Sequence, residues 1–333
     1  MKIIKNTGLK RLFNVSTLLV ACGFISSAAL AQNYPAKPVT LVVPFAAGGP
    51  TDAVARMIAV PMGQSLGQSV IVENTVGAGG TIGANRVAKA APDGYTIFLH
   101  HMGMATAPAL YPKLPYNPLT DFEYIGQVAD VPMTIVARKD FPAKDFKELL
   151  AYIKTHKDKV TMGDAGSGAV SQLCGLLFKS KVGVNITTAS YKGTGPAMTD
   201  LLGGQIDLLC DQTTNTVANI KAGSIKAYAA TTSKRLSALP NLPTANEAGL
   251  KGFEVVVWHG MYAPKGTPKP VLDKINAALK VALSDPNVKS RLNEQSVDIV
   301  SPDKVTPAGL QKHLDAEIKK WDPILKAAKV SIE

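Results

Sequence analysis

A short apolar strand that runs into a glycine-rich loop and then opens a helix recurs at least four times along this chain. That junction limits the fold more than any other feature. The sites are residues 44–52, 74–81, 163–168 and 191–196. Strands alternating with helices through short loops give a parallel sheet covered by helices. Val39–Pro44 is continuously apolar, as a strand buried on both faces requires. Val54, Ile58 and Met62 then recur at helical spacing. Further strands are expected at 70–72 and 96–99, with a helix over 81–90. Pro108, Pro112, Pro115 and Pro118 mark a long irregular excursion.

A second α/β unit begins near Val131, with strands at 131–137, 160–164, 187–190, 206–210 and 227–230 and a helix over 145–156. A strand at 255–262 and amphipathic helices at 268–285 and 306–328 complete the chain. Two extended segments, 128–137 and 255–263, would cross between the units and return the C-terminal helices to the first. The expected fold class is α/β, with two doubly wound lobes joined by crossing strands around a ligand cleft. Residues 32–130 and 254–333 would form the first lobe, and 131–253 the second.

The N-terminus carries an address. Lys2, Lys5, Lys10 and Arg11 precede an apolar run at 15–25, and Ala29-Leu30-Ala31 is a small-x-small cleavage site. This is the pattern of a cleavable secretory signal over residues 1–31. The run is shorter than the ~20 residues of a membrane span. Leu19–Cys22 also fits a lipoprotein box that would put lipid on Cys22, but Gly23-Phe24-Ile25 is unusually apolar for a tether. Cleavage after Ala31 and a periplasmic location are expected. The signal holds four of the 36 basic residues and no acid, so the remainder carries 32 basic against 25 acidic residues, a modest +7. Those basic residues are spread along helix faces rather than gathered into a nucleic-acid stripe.

Helix starts leave N–H groups without partners and carry partial positive charge. Glycine lets a ligand approach that backbone closely. Several such starts converging on one crevice make a site for a small anion. Asp164 and Asp211 stand at strand ends facing the expected crevice, suited to a ligand ammonium or to a capping role. Thr51, Ser167 and Thr194 would donate to a carboxylate or cap their helices. Lys192 is either a fixed positive charge or solvated. His100 and His101 are neighbours on a strand end, pointing to opposite faces, so they make no easy metal pair; His101 is the one placed toward the ligand. His259 lies in a crossing strand, in packing.

Catalytic readings fit poorly, and the chain is read as a non-enzyme without cofactor. Gly77–Gly83 misplaces the last glycine of a dinucleotide fingerprint and lacks a P-loop ending. Ala165–Ala169 is not a nucleophile elbow. Cys174 and Cys210 would face the same end of one sheet. An oxidising compartment favours their disulfide; the alternative is two buried small apolar side chains. Without nearby histidine ligands they make no zinc site.

Taken together, the segments 35–52, 72–83, 92–96, 191–193, 203–207, 242–249 and 263–268 resemble, in order, the substrate-binding receptors of tripartite tricarboxylate transporters. Leu209–Thr214 and Trp258-His259-Gly260 look closest to the branch that includes aspartate-binding receptors. The resemblance implies a type II periplasmic-binding-protein fold that captures a small carboxylate, an amino acid such as aspartate or a di- or tricarboxylate, by lobe closure. It implies a monomer that delivers the ligand to membrane permease subunits, or a sensory receptor that passes its closed form to a signalling protein. It further implies that loops after the first two strands hold one carboxylate, partly through ordered water. Here those loops supply Phe45, Ala47, Gly48, Thr51 and Asp52, then Gly77, Ala78, Gly79 and Thr81. The second lobe would supply Asp164, Ser167, Tyr191, Gly193, Thr194 and Asp211.

Overall fold

The computed structural model describes residues 34–327, so the signal segment lies outside the described residues. In chain order the elements of the first half are β1 (Val39–Val43), α1 (Pro50–Leu66), β2 (Val70–Asn74), α2 (Thr81–Ala88), β3 (Thr96–His101), α3 (Gly103–Leu110) and β4 (Phe122–Arg138). The middle contains α4 (Phe146–His156), β5 (Thr161–Asp164), α5 (Val170–Val182), β6 (Thr187–Ser190), α6 (Thr194–Leu202), β7 (Leu208–Gln212), α7 (Thr213–Lys221) and β8 (Ile225–Ala230). The last part contains β9 (Val256–Pro264), α8 (Lys269–Ser284), α9 (Pro286–Glu294), β10 (Asp298–Ile299) and α10 (Pro307–Ala327).

The main strand order is β2-β1-β3-β9-β4-β7-β5-β6, with β8 and β10 also pairing with β4. Pairing is parallel at both ends, β1 with β2 and β3, and β5 with β6 and β7. In the middle, β9 and β4 run antiparallel to their neighbours. β4 explains how two sheets become one. Its 17 residues change partners midway: Val131 and Pro132 face Val257 and Val256 of β9, whereas Met133 and Thr134 face Gln212 and Asp211 of β7. The chain enters β9 from the second lobe, where Val255 N–H donates to Thr231 O. The result is two doubly wound α/β lobes joined by crossing strands.

The apolar core follows that continuity. One buried cluster runs from Val39 through Ile135 and Phe178 to Leu325, and a smaller one gathers Val136, Ala197, Leu201 and Leu209 beneath α6. α8 returns to pack on α1, and α10 packs on α3 and β4. That packing alters one expectation from the prolines. The start of the excursion is helical over Gly103–Leu110 despite Pro108, because Met104, Ala105 and Ala107 are buried there. Among the described residues no helix is long and apolar enough to cross a membrane.

Candidate functional site

The lobes meet at the ends of their parallel strands. Between them lies a cavity of about 20 Å3, lined by Phe45, Pro50, Thr51 and His101 on one side and by Met133, Ala165, Val170, Ser171, Thr194, Asp211 and Gln212 on the other. That is room for one or two waters, so the lobes are closed on each other. The first turns of α1, α5 and α6 and the N-cap residue of α7, Gln212, all reach this cavity. Four helix starts therefore border this one cavity and surround it with partial positive charge.

Beside the cleft the lobes touch through backbone. Ala46 N–H donates to Lys192 O at 3.0 Å. Gly79 sits at φ +59°, and a Cβ there would lie 2.1 Å from Ser167 O across the cleft. Gly193 is likewise pressed on Ala46, where a Cβ would lie 2.9 Å from the Ala46 nitrogen. One side chain joins this seam: the Tyr111 hydroxyl lies 2.8 Å from Ala78 O in its own lobe and 2.5 Å from Ser167 O in the other. It has a single proton, so it donates to one of them at a time.

The first-lobe wall is aromatic and uncharged. α1 is capped by the Gly49 backbone with Pro50 in its first turn, which leaves Thr51 free of capping. Its hydroxyl instead meets His259 Nε2 at 3.2 Å. His101 stacks on Phe45 with ring centroids 4.7 Å apart, and His100 meets the same ring edge-on at 5.6 Å. The two histidines do not diverge as strand neighbours should. β3 ends at His101 and the chain turns into α3, so the rings stand only 4.7 Å apart. His100 Nδ1 accepts from His101 N–H and His101 Nδ1 from Gly103 N–H. Both rings therefore carry their proton on Nε2. Burial lowers His100 to about 3, with His259 adding to the effect, and lowers His259 to about 3. Burial, with His100 and His259 beside it, holds His101 well below its ordinary value too. These are neutral imidazoles, not cations. Asp52 is occupied within its lobe by Gly48 N–H, Arg56 and Asn74. Burial pushes its carboxyl up, but those bonds outweigh the burial and hold it below its ordinary value.

The second-lobe wall holds a carboxylate. Asp211 is 1% exposed; Oδ1 accepts from the Thr194 hydroxyl at 2.8 Å and Oδ2 from Asn215 Nδ2 at 2.6 Å. Burial pushes its carboxyl up to about 6 against the pull of those bonds. Neither Thr194 nor Ser167 caps a helix, since α6 and α5 are capped by Gly193 and Ala169 without side-chain bonds. Directly behind the wall, Cys174 of α5 and Cys210 of β7 form a disulfide with Cα atoms 6.1 Å apart.

Other sequence candidates fall around this centre. Ala47, Gly48 and Tyr191 line the outer mouth, where the Tyr191 hydroxyl donates to Asp200 at 2.6 Å. Gly77, Ala78, Gly79 and Thr81 belong to the turn that forms the seam, and Thr81 donates to Ala78 O at 2.9 Å. Ser167 contributes its carbonyl there. Asp164 is buried but lines a different cavity, beside α5. Sequence reasoning missed Met133, Val170, Ser171, Gln212 and Tyr111. Ser171 carried a usable signal, one helical turn after Ser167; Tyr111 carried none, lying among the prolines. Among the described residues no cluster of three or more His, Cys, Asp or Glu is arranged to hold a metal.

Comparison with known proteins agrees with this geometry. Residues 54–330 match the model of the tripartite tricarboxylate transporter family receptor. A relative from Agrobacterium vitis, called UPF0065 protein in the TAR-I ttuE-ttuC' intergenic region, is 50% identical over 314 residues, 94% of this chain and 91% of its own. The solved periplasmic binding protein BugD superposes with a TM-score of 0.88 at 52% identity, covering 90% of this chain and 100% of BugD. MatC from Rhodopseudomonas palustris, solved with bound malate, gives 0.84 at 43% identity over 88% of this chain and 100% of MatC.

Proposed function

The chain belongs to the tripartite tricarboxylate transporter receptor family, whose members are solute-binding receptors, and from that membership we propose that it captures a small carboxylate in the periplasm by lobe closure and delivers it to a tripartite tricarboxylate-type permease. The observation that carries this reading is the convergence of four helix starts on one cleft whose donors are neutral. Such a site compensates a carboxylate for lost water without a fixed counter-charge. His101 lines it with Nε2–H as its ring donor. The Asp211 carboxylate and the Thr194 hydroxyl are bonded to each other within the second-lobe wall, an arrangement as suited to holding a ligand as to reacting with it. The malate held by MatC supports a dicarboxylate as the ligand class. Asp211 would face the ligand's far end, where an ammonium of an amino acid such as aspartate suits it better than a second carboxylate. The lobes would divide where β4 changes partners, and the receptor would act as a monomer.

The test is thermal melting of ligand-stripped, refolded protein with L-malate, succinate, citrate, L-aspartate and L-glutamate. One acid should raise the melting temperature selectively, since ligand at a hundredfold excess over its Kd stabilises by about 2.7 kcal/mol. It should be recovered chemically unchanged. No rise with any of them would sink the carboxylate reading.

A further inference from the structure

Asp164 is the largest departure from the sequence-based site. It is 2% exposed, and Oδ1 accepts from Gly166 N–H at 2.8 Å. Oδ2 makes no well-formed hydrogen bond, and the Ser190 hydroxyl, which also lines the cavity, is the side chain that lies near enough to favour its charged form. A buried carboxylate oxygen left unpaired costs free energy unless something fills the space before it. That space exists: a cavity of about 120 Å3 between α5 and the edge strands β5 and β6, larger than the room left between the lobes.

The far wall of the cavity carries the complementary charge. Lys179 of α5 is partly buried there and donates to Thr188 Oγ1 at 2.7 Å. The ammonium and the Asp164 carboxylate influence each other without forming an ion pair. Burial raises Asp164 and lowers Lys179, so each charge is disfavoured as it stands. An ammonium retains two donors beyond Thr188. Apolar Met162 and Leu176 complete the lining.

A glycine gives an independent pointer. Gly175 lies inside α5, where glycine costs about 1 kcal/mol relative to alanine. Packing does not demand it: a Cβ there would meet Met162 Sδ at 3.4 Å, an ordinary contact. Gly175 lines the cavity, so any side chain here would take up part of its volume.

We propose that this cavity is a second small-molecule site, separate from the cleft, that takes a short zwitterionic α-amino acid with its ammonium on Asp164 and its carboxylate on Lys179. A ligand with one donor end and one anionic end satisfies both groups at once, whereas a simple anion or amine leaves one of the two charges uncompensated. The site adjoins the cleft through Ser171, which lines both cavities and accepts from Ala165 N–H at 2.7 Å.

Two methionines make the test clean, because Met133 lines the cleft and Met162 the side cavity. Protein carrying carbon-13 on its methionine methyls is titrated with glycine to tens of millimolar, an affinity range that a five-atom ligand can reach. The Met162 methyl should shift saturably while Met133 stays still. Asp164→Asn and Lys179→Gln should each weaken the midpoint at least tenfold. Gly175→Ala should raise the melting temperature yet weaken glycine severalfold, which separates cavity loss from misfolding. Movement of Met133 alone, or of neither methyl, overturns the proposal. So does joint movement with one midpoint that Asp211→Asn abolishes, because that is cleft binding transmitted sideways. An equal saturable shift with acetate or methylammonium alone would remove the zwitterion.

Discussion

The two walls of the cleft solve the same burial problem in opposite ways. The first lobe presents Phe45, His101 and Thr51, with His100 and His259 packed against them, all fully or nearly fully buried and none charged at neutral pH. The second lobe presents Asp211, equally buried, with a charge held by Thr194 and Asn215. A neutral wall of donors accepts a carboxylate, while a wall with a buried carboxylate repels one and welcomes a cation or a proton. The difference gives the cleft a direction. What the walls share is the contact between them, which is almost entirely backbone.

The shared contact predicts the largest effect. Gly79→Ala places a methyl 2.1 Å from Ser167 O if the lobes close as they do here, and overlap with backbone cannot be relieved by a rotamer change. Affinity for whichever acid raises the melting temperature should fall at least about a hundredfold, roughly 2.7 kcal/mol. The positive φ itself costs only ~1–2 kcal/mol in an alanine, so the fold should survive. Calorimetric titration together with small-angle scattering reads both affinity and ligand-induced compaction. Wild-type closure in this variant would show that the seam is not the closed-state contact.

Asp211 comes next. Its folded pKa, about 6, lies above the value of 3.8 expected of an ordinary carboxyl. The unfolded chain therefore gives up this proton first as pH rises. The cost to the fold is absent below pH 3.8, grows up to about 6, and persists above that. Asp211→Asn should stabilise the protein at pH 7–8 by about 2 kcal/mol, with the gain disappearing near pH 4. The same variant should weaken an amino acid more than its deaminated analogue. Equal losses for both would remove the ammonium from this wall.

The histidine wall titrates with the opposite sign. His100 and His259 ionise in the unfolded chain near 6.5 but in the fold only at about 3. Stability contributed by keeping them neutral is complete above 6.5 and declines as pH falls towards 3, by about 1.4 kcal/mol per pH unit for each ring. His259→Phe should flatten the fall in stability between pH 6 and 4 by about one ring's share. An unchanged slope in chemical denaturation at stepped pH would mean that His259 is not held neutral.

Much of this was legible in the chain. The glycine junctions announced the parallel sheets and the loops that meet at the cleft, because short strands and helix starts are local features. The ends of their elements brought Cys174 and Cys210 to one end of a sheet but left open whether they pair; the structure bonds them. The walls were harder. Whether Thr51 and Thr194 cap helices or face a ligand depends on Gly49 and Gly193 taking the caps, which no spacing revealed. Asp164 and Asp211 look alike in sequence, both at strand ends after apolar runs. Asp164 turns towards α5 because its loop turns through Gly166, at φ +99°, whose N–H holds Oδ1. Such choices depend on tertiary packing around single side chains, beyond the reach of periodicity.

Tyr111 gives the smallest effect and the sharpest test of the comparison. Its hydroxyl is a side-chain link across the seam beside the cleft, which is formed largely by backbone, and Ala78 O in the same lobe offers it an alternative when the lobes part. Closure then exchanges one neutral hydrogen bond for another, or at most adds one, worth about 1 kcal/mol. Tyr111→Phe should weaken the cleft ligand three- to fivefold, roughly 1 kcal/mol. The change should lie in the dissociation rate, because the bond to Ser167 forms only after the ligand is enclosed. Stopped-flow binding separates the two rates. A loss as large as that of Gly79→Ala would shift the latch from backbone to a single hydroxyl, and make the seam as asymmetric as the walls it joins.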